Sequence, residues 1–304
     1  MNKPNNCRIC NSGSQHQKLR AEHVYGAEEK YNFWQCGQCE LVYLWPVPSL
    51  EEEEKFYAEE FENFMLKRSA NDRNWSGPEA HIKSNHDNVT RRWKFLKDYV
   101  KKGDSALEIG CSSGFMMDDL RDKGINVTGI EPSVGFSQYL RKRGHIHYSN
   151  IEELIKKEPE KRFDLIVHFF VLEHIRNIKV FLQQQLELLK PDGIIIAEVP
   201  CVNEPLTSLY NIPAFEKFYW QIAHHYYFKP KSLSVILDKL ECKYVFVPEQ
   251  RYDLSNHLIW MQEGKPRGQG VYNKIFSNDT IELYKNDLKE KWICDTFFLY
   301  IIKK

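Results

Sequence analysis

The stretch Ala106–Met117, ALEIGCSSGFMM, decides the fold. An apolar run through Ala106, Leu107 and Ile109 ends in a turn of small residues, and Phe115, Met116 and Leu120 then recur at helical spacing. This pattern predicts a strand, a tight loop and a helix. Gly110 and Gly114 let the backbone turn sharply and approach a ligand closely. A helix beginning near Gly114 directs its free N–H groups at whatever lies there.

A nicotinamide fingerprint, GxGxxG, is a poor match, because Ser112 and Phe115 stand where its second and third glycines would be. The carboxylate of Glu108, two residues before the first glycine, suits a ligand with an ammonium group better than one with a pyrophosphate. LEIGCSSG, together with Glu131 closing INVTGIE 23 residues after Glu108 (131 − 108), resembles the first two motifs of class I S-adenosylmethionine-dependent methyltransferases. The resemblance implies an α/β fold: a Rossmann-like, mostly parallel seven-stranded sheet with helices on both faces. It places Glu108, Gly110, Ser112 and Gly114 around the methionine part of the cofactor, and Glu131 with Pro132 at the ribose. Ser112 replaces the family's usual middle glycine, small for small. A glycine turn in some other α/β protein is the plainer reading, and the pairing of the two motifs weighs against it.

The 304 residues carry 42 basic and 42 acidic side chains, so nothing in the charge balance steers toward nucleic acid or an anionic membrane. Apolar runs such as FDLIVHFFVL fall far short of the ~20 residues of a membrane span. The expected setting is the cytoplasm, with no membrane partner. Of eight cysteines, Cys7, Cys10, Cys36 and Cys39 form two CxxC pairs separated by 25 residues. Two such pairs complete a closed tetrahedral shell for Zn2+, leaving no open position for water or substrate, so the predicted zinc is structural. A redox CxxC is the weaker alternative, because neither pair lies at a strand-to-helix junction.

These features divide the chain into a zinc-binding module over 1–48, a helical linker and cap over 49–103, a catalytic core over 104–264 and a C-terminal extension over 265–304. In the linker, Ser49 and Glu52 form a capping box. Residues 66–84 read as a mobile connection near the cofactor mouth, and Asp87–Lys101 as a helix. In the core, strands are expected at 127–131, 163–170 and 194–199, alternating with helices. KYVFVPEQ and HLIWMQ read as the last two strands, and the tail as a mixed-charge helix with a short apolar end. That end would pack on the domain or on a partner in a homodimer.

The same family resemblance puts Asn150 and Ile151 beside the adenine, carries His168 and Phe169 to the rim of the cofactor cleft, and sets Glu173–His174 just beyond. Residues 201–229 are aromatic and proline-containing and are expected to cover the cleft as a lid. Within them, HHYYFKPKSL resembles the HxxYF block of sugar-modifying relatives and places the family's histidine on His224. Methyl transfer to a hydroxyl needs a base near neutrality; His224 is the first candidate and His225 the second. The sequence therefore points to O-methylation of a small polar acceptor, a sugar or sugar nucleotide in glycan or natural-product biosynthesis. C-methylation of a keto-deoxysugar nucleotide is the alternative, weakened because Ala223 stands where carbon-methylating relatives have an acid. A non-enzymatic interaction module is the second alternative.

Overall fold

The computed structural model describes residues 2–68 and 77–304. The chain opens with three short strands, β1 (Gln17–Ala21), β2 (Asn32–Cys36) and β3 (Val42–Trp45). Helix α1 (Leu50–Lys55) starts at the capping box, where the Glu52 amide donates to Ser49 Oγ at 3.1 Å and the Ser49 amide donates to Glu52 Oε2 at 2.6 Å. A π-helical turn over Phe56–Glu60 leads into α2 (Phe61–Arg68), and α3 (Pro78–Ser84) and α4 (His86–Leu96) follow. The expected mobile connection falls partly on 69–76, outside the described residues; its flanks on both sides are helical.

The alternating part then begins. Strand β4 (Ser105–Ile109) is followed by α5 (Phe115–Asp122), β5 (Asn126–Ile130), α6 (Val134–Lys142), β6 (Ile146–Tyr148), α7 (Ile151–Lys157) and β7 (Phe163–Phe169). Next come α8 (Ile178–Leu188), β8 (Leu189–Pro200), α9 (Pro205–Ser208), α10 (Pro213–Tyr219) and the two-residue β9 (Tyr226–Tyr227). Helix α11 (Pro230–Leu237), β10 (Cys242–Glu249), α12 (Leu254–Glu263), α13 (Asn278–Glu290) and β11 (Thr296–Lys303) complete the order.

Seven strands form one sheet in the order β10-β11-β8-β7-β4-β5-β6. The pairs from β8 to β6 are parallel, and β11 runs antiparallel to both of its neighbours. Side-chain alternation divides this sheet cleanly. Leu107, Ile166, Ile195 and Leu299 pack toward α8 and α11, while Ala106, Leu165, Ile196 and Phe298 pack toward α4 and α5. Burial on both faces explains why the parallel strands read as continuous apolar runs.

Two expectations for the end of the chain are corrected. HLIWMQ is not a strand but part of α12, whose start is capped by Asp253 accepting from the Asn256 amide at 2.8 Å. A short apolar run has no period of its own, and the cap decides for helix. The seventh strand is the apolar end of the tail, TFFLYIIK, paired to Val199 through Phe297 and to Val247 through Phe298. Residues 296–303 thus sit inside the sheet rather than in an extension beyond residue 264.

The second sheet is small and wholly antiparallel, in the order β1-β2-β3-β9. Its fourth strand comes from the aromatic segment after β8, so residues 1–48 do not close a sheet by themselves. Phe33 lies 5.4 Å from Trp220 and 5.3 Å from Tyr227, ring centre to ring centre. Val42, Leu44, Phe215, Tyr219 and Trp260 fill the same cluster. Among the described residues, no helix is long and apolar enough to cross a membrane.

Candidate functional site

Beyond the carboxyl end of β4, three alternate residues adopt the left-handed region: Gly110 at φ 72°, Ser112 at φ 47° and Gly114 at φ 78°. A Cβ at Gly110 would stand 2.6 Å from Val171 Cγ2, and one at Gly114 would stand 2.6 Å from Leu140 Cδ2. Both conformation and space therefore require glycine at these two positions. The Gly110 and Cys111 amides donate to the Ile130 carbonyl at 2.9 and 3.1 Å, tying the loop to the end of β5.

Glu131 follows β5 and is buried; its carboxylate accepts from the Ser112 amide at 2.7 Å and the Ser133 amide at 2.8 Å. Pro132 next to it is exposed. Glu108 is buried beneath the loop with Oε2 unpartnered. Burial pushes its carboxyl up to about 8, against the pull of Arg92. An orphaned buried carboxyl oxygen next to a glycine cradle fits a ligand that brings an ammonium group.

Asn150 is exposed and caps α7, its side-chain oxygen accepting from the Glu153 amide at 2.8 Å; Ile151 is buried behind it. Phe169 is buried under the Arg92 guanidinium, 4.0 Å from its ring centre. His168 does not reach a cleft rim. It is fully buried on the α8 face, 5.5 Å from the Phe181 ring, with both ring nitrogens unpartnered and its pKa lowered to about 3 by burial. The β7 alternation turns it inward, because residue 168 shares a face with Ile166.

A second group assembles where the chain leaves β7. Val171, which closes over Gly110, leads into a single 3₁₀ turn at Leu172–His174. Donor atoms of Glu173, His174 and His224 lie within 4.8 Å of one another. The two imidazoles meet edge to face, 4.7 Å between centres. His174 Nδ1 lies 2.7 Å from the Ala223 carbonyl oxygen, which can only accept, so this nitrogen carries the proton. Tyr57 donates to the same carbonyl at 3.1 Å.

His224 Nδ1 has no partner, and its Nε2 lies 2.9 Å from the Gln221 side-chain nitrogen, which only donates, so Nε2 accepts and Nδ1 carries the proton in this arrangement. Burial holds both histidines neutral, His174 at about 4 and His224 well below its ordinary value. The Glu173 carboxyl has neither oxygen partnered, and burial raises it to about 8. Three such donors could suit a cation, but Arg68 acts on both histidines and Arg251 on Glu173, and their positive charges oppose a divalent ion there.

His225 faces away from this group. Its Nε2 pairs with Glu53 Oε1 at 2.8 Å, its Nδ1 lies 3.3 Å from Arg8, and Glu53 is also held by Arg176 at 2.6 Å. Adjacent residues on an extended segment point to opposite sides, so only one of the pair can enter the cluster. Tyr57, Arg68, His81 and Arg251 join the surroundings of the site without having been read from the sequence. His81 Nδ1 lies 2.8 Å from Ser113 Oγ in the glycine loop, between the rings of Phe115 and Phe136.

The four N-terminal cysteine sulfurs converge. Cys7 and Cys39 are 3.6 Å apart, as are Cys10 and Cys36, and all four lie within 4.8 Å of one another. Zn–S bonds of about 2.3 Å at tetrahedral angles require sulfur separations of about 3.8 Å, so the set fits Zn2+ with no vacancy.

Fold, glycine cradle and acidic strand end together define a nucleotide-type cofactor domain of the α/β class. The chain matches the family described as methyltransferase domain over residues 81–246, more than half its length. It belongs to that family, the S-adenosylmethionine-dependent methyltransferases. Among curated relatives, the ubiquinone biosynthesis O-methyltransferase of Bradyrhizobium diazoefficiens is 29% identical over 97 residues, 30% of this chain and 37% of that protein. The one from Pasteurella multocida is 26% identical over 140 residues, 40% of this chain and 58% of that protein. The match thus spans less than two thirds of either relative's length. Similar solved structures include a SAM-dependent methyltransferase from Archaeoglobus fulgidus, with TM-score 0.47, 20% identity, and 72% and 94% of the two chains covered. The plantazolicin methyltransferase BamL has TM-score 0.48, 17% identity, and 83% and 97% covered.

Proposed function

We propose that the protein transfers a methyl group from S-adenosylmethionine to a hydroxyl of a small polar acceptor, a sugar or sugar nucleotide, with His224 as the base. The observation that carries this reading is the unpartnered Nδ1 of His224, grouped with Glu173 and His174 immediately past the strand end that touches Gly110. The sugar assignment draws on the HHYYF segment, and the oxygen assignment on Ala223 and on the O-methyltransferase names of the curated relatives.

In this reading the glycine loop and Glu108 hold the methionine end of the cofactor, Glu131 the ribose hydroxyls, and Asn150–Ile151 flank the adenine. Bound cofactor supplies an electrophilic methyl on sulfur. The chain's residues orient the acceptor oxygen in line with it and exclude water; with the Gln221 amide turned so that its oxygen accepts from Nε2–H, His224 Nδ1 is free to take the hydroxyl proton as the C–O bond forms and the methyl–sulfur bond breaks. His174 cannot serve through Nδ1, which already donates to Ala223. The four cysteines hold Zn2+ as a structural ion.

Calorimetric titration with S-adenosylmethionine and S-adenosylhomocysteine tests the cofactor half. Micromolar binding is expected, weakened at least about tenfold in Glu131→Ala, the loss of a charge-assisted contact. His224→Ala should leave cofactor affinity unchanged and lower kcat by ~10²–10⁴-fold. Folded wild-type protein that binds neither ligand would overturn the enzyme reading.

A further inference from the structure

We propose that Arg68 pairs with an oxyanion on the methyl acceptor, so that the substrate is a carboxylated or phosphorylated molecule rather than a neutral one. The inference rests on the reading of the Glu173–His174–His224 group as the acceptor site.

Arg68 closes α2, and its guanidinium lies over the Phe218 ring of the aromatic segment, 4.0 Å from the centre. Its Nε is buried and has no hydrogen-bond partner. Among the described residues no carboxylate pairs with it. Other arginines in the same part of the molecule are matched: Arg91 and Arg92 by Glu198, Arg176 by Glu53, and Arg251 by Asp295. The groups whose charge Arg68 feels are phenols instead, Tyr25, Tyr219, Tyr227 and Tyr252. Burial raises the pKa of Tyr219 and Tyr227 and keeps both neutral.

The site it borders is also without negative charge at neutral pH. Arg68 is close enough to His174 and His224 to oppose protonation of both, and Glu173 is a neutral acid below about 8. A half-buried cation in such a wall, with its Nε out of water and no carboxylate on it among the described residues, is costly until something anionic arrives. Guanidinium also dictates the chemistry of the visitor. Stacked on an aromatic face, it keeps its N–H groups in one plane, the arrangement that grips a carboxylate or phosphate through two parallel hydrogen bonds. The acceptor would then be anchored at its anion by Arg68, and the hydroxyl to be methylated presented to His224.

The test is direct binding to full-length protein loaded with S-adenosylhomocysteine, using glucose, glucuronate and glucose 1-phosphate as probes. At least one charged probe should bind at least tenfold more tightly than glucose, and the comparison of glucuronate with the phosphate assigns the anion. Arg68→Met, which keeps the stem on Phe218, should remove that preference. Arg68→Lys should keep part of it, and guards against a variant that misfolds. His224→Ala should leave anion binding intact. Charged probes that bind no better than glucose up to 10 mM, or a preference unchanged in Arg68→Met, would overturn the inference. Methyl transfer retained in His224→Ala, with Arg68-dependent binding intact, would instead count against His224 as base, so the two readings fail separately.

Discussion

The two sheets bury themselves by different means. The seven-stranded sheet is covered by helices on both faces, with Leu107, Ile166, Ile195 and Leu299 on one side, in a cluster that also takes in Trp34 and Tyr43 of the small sheet and Leu41 beside it, and Leu165, Ile196 and Phe298 on the other. The four-stranded sheet has three strands of four or five residues, a converging cysteine set at one end, and a fourth strand borrowed from Tyr226–Tyr227. A sheet that small cannot supply its own core. It depends on the converging cysteines, where we propose Zn2+, and on the segment that also carries His224. Disturbing the cysteine cluster should therefore reach the acceptor site, whereas disturbing the large sheet should affect overall stability first.

The largest expected effect comes from the cysteines. Removing Zn2+ with a chelator, or replacing Cys36 with Ser, should unfold the small sheet, since such ions contribute on the order of 10 kcal/mol to folding in small metal domains. Calorimetry should show an early transition lost while that of the large sheet remains. Retention of methyl transfer by the metal-free protein would break the link between the cluster and the segment that carries His224.

A smaller effect is expected within the large sheet. Glu198 is fully buried, paired with Arg91 at 2.7 Å and Arg92 at 3.2 Å, and accepts from Thr296 Oγ1 at 3.3 Å. Glu198→Ala leaves the buried Arg92 guanidinium, and the half-buried Arg91 beside it, without their carboxylate and should cost about 3–5 kcal/mol. Urea denaturation should show this loss in the main transition, leaving the small-sheet transition where it was.

The smallest effect is a pH slope. Glu173 is raised to about 8 in the folded chain from an ordinary value near 4.5. The folded form binds the proton more tightly, so this group's contribution is complete below about 4.5 and is lost as pH rises toward 8. The slope is at most about 1.4 kcal/mol per pH unit. Glu173→Gln should flatten the decline between pH 6 and 8, followed by thermal unfolding across that range. Ionised Glu173 would also increase the proton affinity of His224 nearby, so the variant should lose any rise of kcat toward pH 8.

What could be read from the sequence follows the same division. ALEIGCSSGFMM declares itself because strand, glycine turn and helix are contiguous, and the paired CxxC motifs because metal ligands keep their spacing. HLIWMQ is ambiguous, since its four consecutive apolar residues suit a strand or a buried helix equally; Asp253 and its cap on Asn256 decide for the helix. TFFLYIIK had the composition of a strand but no neighbour in the sequence to announce its place. Tyr226–Tyr227 is too short to carry a period at all. The opposed directions of His224 and His225, and the burial of His168 under α8, depend on contacts with Glu53, Arg8 and Phe181 that lie far away in the chain.

The position of β11 has a consequence for how the protein is made. Strand β8 ends at residue 200 and its antiparallel neighbour begins at 296, so 96 residues (296 − 200) must leave the ribosome before that side of β8 is paired. At ordinary synthesis rates this takes roughly 5–20 s. Throughout that time the nascent chain presents an apolar strand edge, including Ile194, Ile195 and Ile196, with unpaired N–H and C=O groups. Protection of that edge by a chaperone, or by transient pairing with β10 once it is made, would set how much newly synthesised protein escapes aggregation.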